Sequence, residues 1–173
     1  MPRQPVVGAD ANAWGAVLNA YLSVAHNADG SIRNLFVNVT DPAYGADPTG
    51  VADATTAIQA AITAASAGGT IYFPPGTYLI SSPLAVTAQG QCFVGCDEAS
   101  IIKASAGFVG AALLTNTGFQ QGSVRDLKFL GGNNFTVSSN PACDAIKFNS
   151  DCADWIFSNL HLKSFNEIGR AHV

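Results

Sequence analysis

Residues 44–80 constrain the fold more than any other stretch, because they mark a helix and two strands with local start and stop signals. Asp53 is a good helix N-cap, since its carboxylate can accept hydrogen bonds from the free N–H groups of a first turn. An apolar stripe at helical spacing follows, made of Ala57, Ile58, Ala61, Ile62 and Ala65. Gly68 and Gly69 predict the end of this helix, because glycine accepts the left-handed conformation that closes helices.

Two strands are predicted after the helix, over residues 70–73 and 77–80. Between them, Pro75 and Gly76 suit the central positions of a type II turn, with proline fixing φ and glycine supplying a positive φ.

This stretch resembles the opening of the pectate-lyase-like (rhamnogalacturonase/epimerase-type) right-handed parallel β-helix family. The shared positions are Tyr44-Gly45-Ala46, Gly50, Asp53, the helix sequence AIQAAI and the strand ending PPGTY. The resemblance implies an all-β solenoid: the start of a single-stranded right-handed parallel β-helix with an N-terminal capping α-helix, preceded by a short helical leader. It implies nothing about activity, since no residue of the motif does chemistry.

Later residues repeat at an offset of 33, which is typical of successive coils of a solenoid. The repeat predicts that Val124, Leu127 and Phe129 stack in the core with Phe157, Leu160 and Leu162. It also places Asn116 over Asn149, and Asp126 beside Asn159, at corners where polar side chains bond the turn backbone. We therefore expect structural roles for the asparagines, as for Asp53 and the turn glycines.

Composition narrows the possible partners. The chain of 173 residues has a net charge of −4 and 12% charged residues, which argues against a nucleic-acid partner. It has no apolar run long enough to span a bilayer and no visible secretory signal. The spacing of Cys92, Cys96, Cys143 and Cys152 does not predict a zinc site, so we expect buried free thiols, no metal and no cofactor.

Residues 1–38 form a separate leader segment in this interpretation. Asp10 or Asn12 can cap a helix that runs to about Ala25 and carries an apolar stripe. The segment is similar to leaders of bacteriophage tail fibres and tailspikes, which carry Gly-x-Asp-x-Asn-x-Trp-Gly-x-x-Leu-Asn and end in His-Asn-x-Asp-Gly. Residues 39–166 are then the capping helix and first coils, truncated. Residues 167–173 (EIGRAHV) resemble a translated sequencing adapter, which predicts a non-native tail.

No catalytic residue is assigned from the sequence. The candidate carboxylates are Asp97, Glu98, Asp126, Asp144, Asp151 and Asp154. Most lie in predicted turns, and adjacent turns rarely converge in the way that paired acid and base groups must. Lys128 and His161 should face solvent on one side, with Arg125 nearby, where a solvated face or contact with an acidic sugar are both open. Substrate-binding residues are left unassigned.

The resemblances together imply a fragment of a phage tailspike or tail-fibre subunit that binds and depolymerises bacterial surface polysaccharide. They imply a homotrimer, made in the host cytoplasm and attached to the virion through residues 1–38. Two alternatives stay open. One is a secreted cellular polysaccharide lyase or glycoside hydrolase, and the other is a structural or adhesive fibre without activity.

Overall fold

The computed structural model describes residues 35–131, 144–148, 152–163 and 165. It contains an α-helix, α1 (Thr55–Ala64), and a 3-10 helix (Asp97–Ala99). The strands are β1 (Phe36–Asn38), β2 (Thr49–Asp53), β3 (Thr70–Tyr72), β4 (Gly76–Ile80), β5 (Leu84–Ala85), β6 (Cys92–Val94), β7 (Ser100–Ala104), β8 (Ala112–Asn116), β9 (Ser123–Leu130), β10 (Asp144–Phe148) and β11 (Ile156–Lys163). The predicted leader helix and the final residues 167–173 lie outside the described part of the chain.

The described strands pair in parallel in two sheets. The larger has the order β1-β3-β6-β9-β7-β4-β2, with β11 also paired to β9, and the smaller has the order β10-β8-β5. Because parallel neighbours require a crossover connection, the chain passes between the sheets and lays each coil on the previous one. In the first coil α1 follows β2, at the point in the sequence where later coils have β5, β8 and β10.

The strand register confirms the 33-residue repeat for one pair of strands and corrects it for another. In β9 and β11, Val124 aligns with Phe157 and Leu127 with Leu160, as predicted. In β8 and β10, however, Asn116 aligns with Phe148, 32 residues later. Asn149 is therefore not the register partner of Asn116, and it lies outside the described residues. The connection after β10 is one residue longer than the connection after β8, which accounts for the shift.

Columns of stacked apolar side chains fill the space between the sheets. Two such columns are Ile71–Phe93–Val124 and Tyr78–Ile102–Phe129. Full burial of one such side chain is worth roughly 1.5–3 kcal/mol, so the columns dominate the stability of the fold.

The last described strand is less buried than the sequence predicted. Leu127, like Val124 and Phe129, is fully buried, as expected. Phe157 and Leu162 align with the same columns, but 45% and 43% of their surfaces are exposed, and Leu160 is half-buried. The reason is that no described strand packs on the far side of β11.

Both predicted ends of the helix are corrected. The N-cap is Ala54, one residue after Asp53, although the Asp53 carboxylate does accept the N–H of Thr55 at 2.9 Å. The helix ends at Ala64, before Gly68 and Gly69, and the C-cap residue is extended.

The last turn of α1 is closed by a glutamine from the next coil, and not by the glycines that the sequence predicted. The amide of Gln91, which is fully buried, donates hydrogen bonds to the carbonyls of Ile62 and Ala65 at 2.8 and 3.0 Å. Carbonyls in the last turn of a helix have no partner within the helix, so this side chain satisfies two of them.

The predicted type II turn at Pro75 and Gly76 is also wrong. Gly76 has no positive φ and is the first residue of β4. Glycine is needed there for close packing, since a Cβ at this position would lie 2.6 Å from the Cβ of Pro48. The N–H of Thr77 then donates to the Pro48 carbonyl at 2.7 Å.

A column of left-handed residues precedes the strands β3, β6, β9 and β11. It consists of Gly68 (φ 74°), Gly90 (69°), Gln121 (61°) and Asp154 (59°). Each lies two residues before β3, β6, β9 or β11, and the first three donate their N–H groups to the next coil, at Gln89, Gln120 and Ala153. Gly68 thus serves this column rather than the helix end. Gln121 and Asp154 hold a conformation that costs a side-chain-bearing residue roughly 1–2 kcal/mol.

Two side chains bond to the edges of β2 and β5. The Asp47 carboxylate accepts the N–H groups of Thr49, Val51 and Ala52, at 2.9, 3.3 and 2.8 Å, beside β2. The amide of Gln59 on α1 donates to the carbonyl of Ala85 at 3.0 Å and accepts its N–H at 2.8 Å. Gln59 therefore bonds to β5 as the peptide group of a neighbouring strand would.

The left-handed column predicts that two glycine substitutions differ in their effect on the free energy of unfolding. Gly90→Ala should lower the free energy of unfolding by about 1–2 kcal/mol, because alanine resists the left-handed region and its Cβ would meet Gly68 at 3.3 Å. Gly107→Ala is the control, since its φ is not left-handed and no heavy atom lies within 4 Å of its Cβ. Urea denaturation measures both variants, and equal losses would contradict the role of the column.

The Asp47 hydrogen bonds predict a pH-dependent contribution to stability. The Ala52 N–H, followed by the hydroxyl and N–H of Thr49, lowers the pKa of Asp47 from 3.8 to about 2. The stabilisation is therefore complete above about pH 4 and disappears as the pH falls through about 2. Asp47→Asn should unfold at lower urea than the wild type at pH 6, and the difference should shrink towards pH 2. Asp41→Asn is the control, since that side chain has no hydrogen bond to any described residue.

Candidate functional site

Charged side chains collect on the outer face of β9 and β11. As the sequence predicted, Lys128 and His161 lie on one exposed side, where they are aligned neighbours, and Arg125 lies nearby on β9. Glu98 contacts Lys128 and His161: its Oε2 is 2.9 Å from Lys128 Nζ and its Oε1 is 3.5 Å from His161 Nδ1. His161 Nε2 is 2.7 Å from Asp97 Oδ1. We call the group Asp97, Glu98, Arg125, Asp126, Lys128, Asn159 and His161 the outer-face cluster.

The backbone brings the cluster together at a corner. The 3-10 helix carries Asp97 and Glu98 between β6 and β7, while β9 and β11 run through the corresponding region as continuous strands. Asp97, Asp126 and Asn159 all have left-handed backbones, with φ of 59°, 56° and 48°. Asp and Asn tolerate this region better than other side-chain-bearing residues, which explains the residue types.

The Asn159 amide lies between two carboxylates. Its Nδ2 donates to Asp126 Oδ1 at 2.9 Å and to Asp97 Oδ1 at 3.2 Å. Asp126 and Asn159 are thus adjacent, as predicted from the repeat. Asp97 and Asp126 thus bond to the same amide, while the expectation that Asp97 and Glu98 do not converge with Asp151 and Asp154 stays a prediction.

Nearly every charge of the cluster has a partner within it. The pKa of Glu98 is lowered, mainly by the hydrogen bond from Lys128 and then by the charges of Lys128 and His161. Arg125 lies 3.4 Å from the Asp126 carboxylate. These groups are partly solvent-exposed, so each pair contributes little to stability and the arrangement can open for a ligand at small cost.

The other polar residues named from the sequence lie elsewhere. Asn116 is buried, and its side chain accepts the N–H of Phe119 at 3.0 Å and donates to the carbonyl of the same residue. Asp144 is on β10, and Asp154 belongs to the left-handed column. Asp151 lies outside the described residues.

The described residues also bear on metals, thiols and membranes. Among residues 35–131, 144–148, 152–163 and 165, no three His, Cys, Asp or Glu side chains are grouped to hold a metal ion. Cys92, Cys96 and Cys152 are free and half-buried, and Cys143 is outside the described part. In the part of the chain that the structure describes, no helix has the length and apolar character to cross a membrane.

A shallow groove of about 660 Å³ runs along α1, lined by residues such as Thr56, Ala60, Thr63 and Pro83. Its lining has no charged side chain, whereas the outer-face cluster brings acidic and basic side chains together.

Comparison with known proteins identifies the family. Residues 36–151 match the family described as rhamnogalacturonase A/epimerase, pectate lyase-like. The chain belongs to this family. The match covers all of the described strands through β10, including the part of the outer-face cluster on β9 and the 3-10 helix.

One curated protein and two solved structures illustrate the similarity. A probable glucan endo-1,3-beta-glucosidase of Arthroderma benhamiae is 31% identical over 105 residues, 54% of this chain and 12% of that protein. The A-module of the mannuronan C-5 epimerase AlgE6 of Azotobacter vinelandii is 25% identical with a TM-score of 0.57, over 75% of this chain and 38% of that chain. ORF18 of Geobacillus virus E2 is 22% identical with a TM-score of 0.59, over 73% of this chain and 25% of that chain. At this identity the similarity shows the fold alone.

The amide bridge predicts a charge effect at Asn159. Asn159→Asp would place a third carboxylate against Asp97 and Asp126, so stability at pH 7 should fall by up to about 1 kcal/mol and recover as the carboxylates protonate. Ser158→Asp is a matched control, since it adds the same charge beside Arg125, with which Ser158 is aligned. Urea unfolding at pH 7 and pH 3 measures both, and equal losses in the two variants would rule out the bridge as the cause.

Proposed function

We propose that this chain is part of a phage tailspike or tail-fibre subunit that binds and depolymerises bacterial surface polysaccharide. The leader motif of residues 1–38, the pectate-lyase-like family and the fold shared with a viral protein support the phage assignment. In this proposal the subunit is made in the host cytoplasm, assembles as a homotrimer and joins the virion through the leader. The polysaccharide partner lies outside the cell.

The same proposal takes the described coils as a right-handed single-stranded β-helix with α1 as its cap. The parallel pairing of the described strands and the strand-like bonding of Gln59 to β5 support this interpretation. A solenoid of this kind presents a long outer surface on which a polymer can lie across several strands.

The observation that carries the proposed activity is the convergence of His161, Asp97 and Lys128 on one exposed face. Proton abstraction beside a uronate carboxylate needs a base and a cation to stabilise the charge that develops. His161 can be the base, with Asp97 fixing its ring, and Lys128 can supply the cation once a substrate displaces Glu98. The names of two similar proteins, a probable glucan endo-1,3-beta-glucosidase and a mannuronan C-5 epimerase, support a polysaccharide as the substrate.

Two-carboxylate hydrolysis fits this face less well. A glycoside hydrolase needs two carboxyl groups that face the scissile bond from either side. Asp97 and Asp126 are instead bridged by the Asn159 amide. A structural fibre without activity is the second candidate. The ion pairs within the cluster favour it, because such pairs can serve only to hold adjacent coils together.

The test incubates the chain with alginate, polygalacturonate, a 1,3-β-glucan and capsular polysaccharides, and measures binding, chain length and unsaturated or epimerised products. We expect binding and modification of at least one polymer. His161→Gln should retain binding and slow product formation by roughly 10²-fold or more.

Lys147→Gln, on β10 in the smaller sheet, is the control and should behave as the wild type. Product formation by His161→Gln at the wild-type rate would remove His161 as the base. Absence of binding to every polymer would favour the structural fibre.

A further inference from the structure

A second set of cations lies beside the outer-face cluster on the same sheet. Lys103 on β7 and Lys163 on β11 both align with Leu130, one on each side of β9. Their neighbours Ile102, Ala104 and Phe129 are buried, so alternation along the strands directs the two lysines and Leu130 outward. We call Lys103, Leu130 and Lys163 the lysine row.

The lysine row differs from the cluster in its charge balance. Lys128, Arg125 and His161 each lie within 4 Å of a carboxylate, whereas Lys103 and Lys163 form no ion pair with any described residue. The whole chain has a net charge of −4, so this uncompensated positive charge is local. Such a patch on an acidic protein attracts anions to one place.

We propose that the lysine row binds anionic groups of a glycan that lies across β7, β9 and β11. Adjacent strands are about 4.8 Å apart, so Lys103 and Lys163 originate from strands about 10 Å apart. Between them Leu130 offers a half-exposed apolar surface to the C–H face of a sugar ring. This inference rests on the proposed function and narrows its substrate to a polyanionic polysaccharide.

The charges favour this occupant over a neutral glycan. A neutral polymer offers the two ammonium groups only hydroxyl oxygens in place of water, so the two charges add little to its affinity. An anionic polymer gains two charge-assisted contacts without separating any existing ion pair. Lys128 and His161 lie two residues earlier on β9 and β11, alongside the path of such a polymer.

The experiment measures binding of the full chain to polygalacturonate, to dextran sulfate and to neutral dextran. The variants are Lys103→Gln, Lys163→Gln, the double variant and the control Lys147→Gln, each checked by thermal unfolding. We expect both anionic polymers to bind more tightly than dextran, with an affinity that falls as salt is added. The double variant should lose about tenfold in affinity, each exposed contact being worth up to about fivefold, while Lys147→Gln loses none.

The outcomes separate the two proposals. A wild type that binds neutral dextran as tightly as the anionic polymers, or a double variant with unchanged affinity, overturns the lysine row and leaves the polysaccharide function standing. Equal losses from Lys147→Gln and the double variant would also overturn it, because that result means attraction by overall charge. Failure to bind the polymers tested here and those of the preceding panel overturns both. Preference between polygalacturonate and dextran sulfate tells whether carboxylates or sulfates fit the row.

Discussion

The structure depends on the vertical stacking of like positions from one coil to the next. Ile71, Phe93 and Val124 occupy one column because their strands pair in parallel and in register, and each is buried by its neighbours above and below. A slip of one residue would move every inward side chain to the outside. The left-handed residues before β3, β6, β9 and β11 maintain this register, because the turn before each of these strands ends in the same way.

The sequence predicts the strands well because alternation and turn signals are local. It predicts the helix ends poorly because Gln91, which satisfies the last carbonyls of α1, comes from the following coil. The role of Gly76 was missed for the same reason: glycine suits both a turn and a close contact, and only the position of Pro48 decides between them. The repeat failed by one residue at Asn116 because register across β8 and β10 depends on the length of a connection that the 33-residue offset does not describe.

Only part of the outer-face cluster could be predicted from the sequence. Alternation in β9 and β11 was enough to place Lys128 and His161 on one side. The convergence of Asp97 and Glu98 on them depends on a turn of 3-10 helix between β6 and β7 that has no counterpart in the next coil. A signal existed in the residue types, since Asp97, Asp126 and Asn159 are residues that accept a left-handed backbone. That signal identifies a corner, and it does not reveal which side chains face each other there.

The side chains of Asp47 and Gln59 also bear on how such molecules associate with each other. An open strand edge recruits strands from other molecules, and the N–H groups of Val51 and Ala52 and both polar groups of Ala85 would otherwise be available for that. Here a carboxylate and an amide already occupy them. Side chains of the chain itself therefore occupy these groups at the edges of β2 and β5, which disfavours the addition of a strand from another copy at these two places.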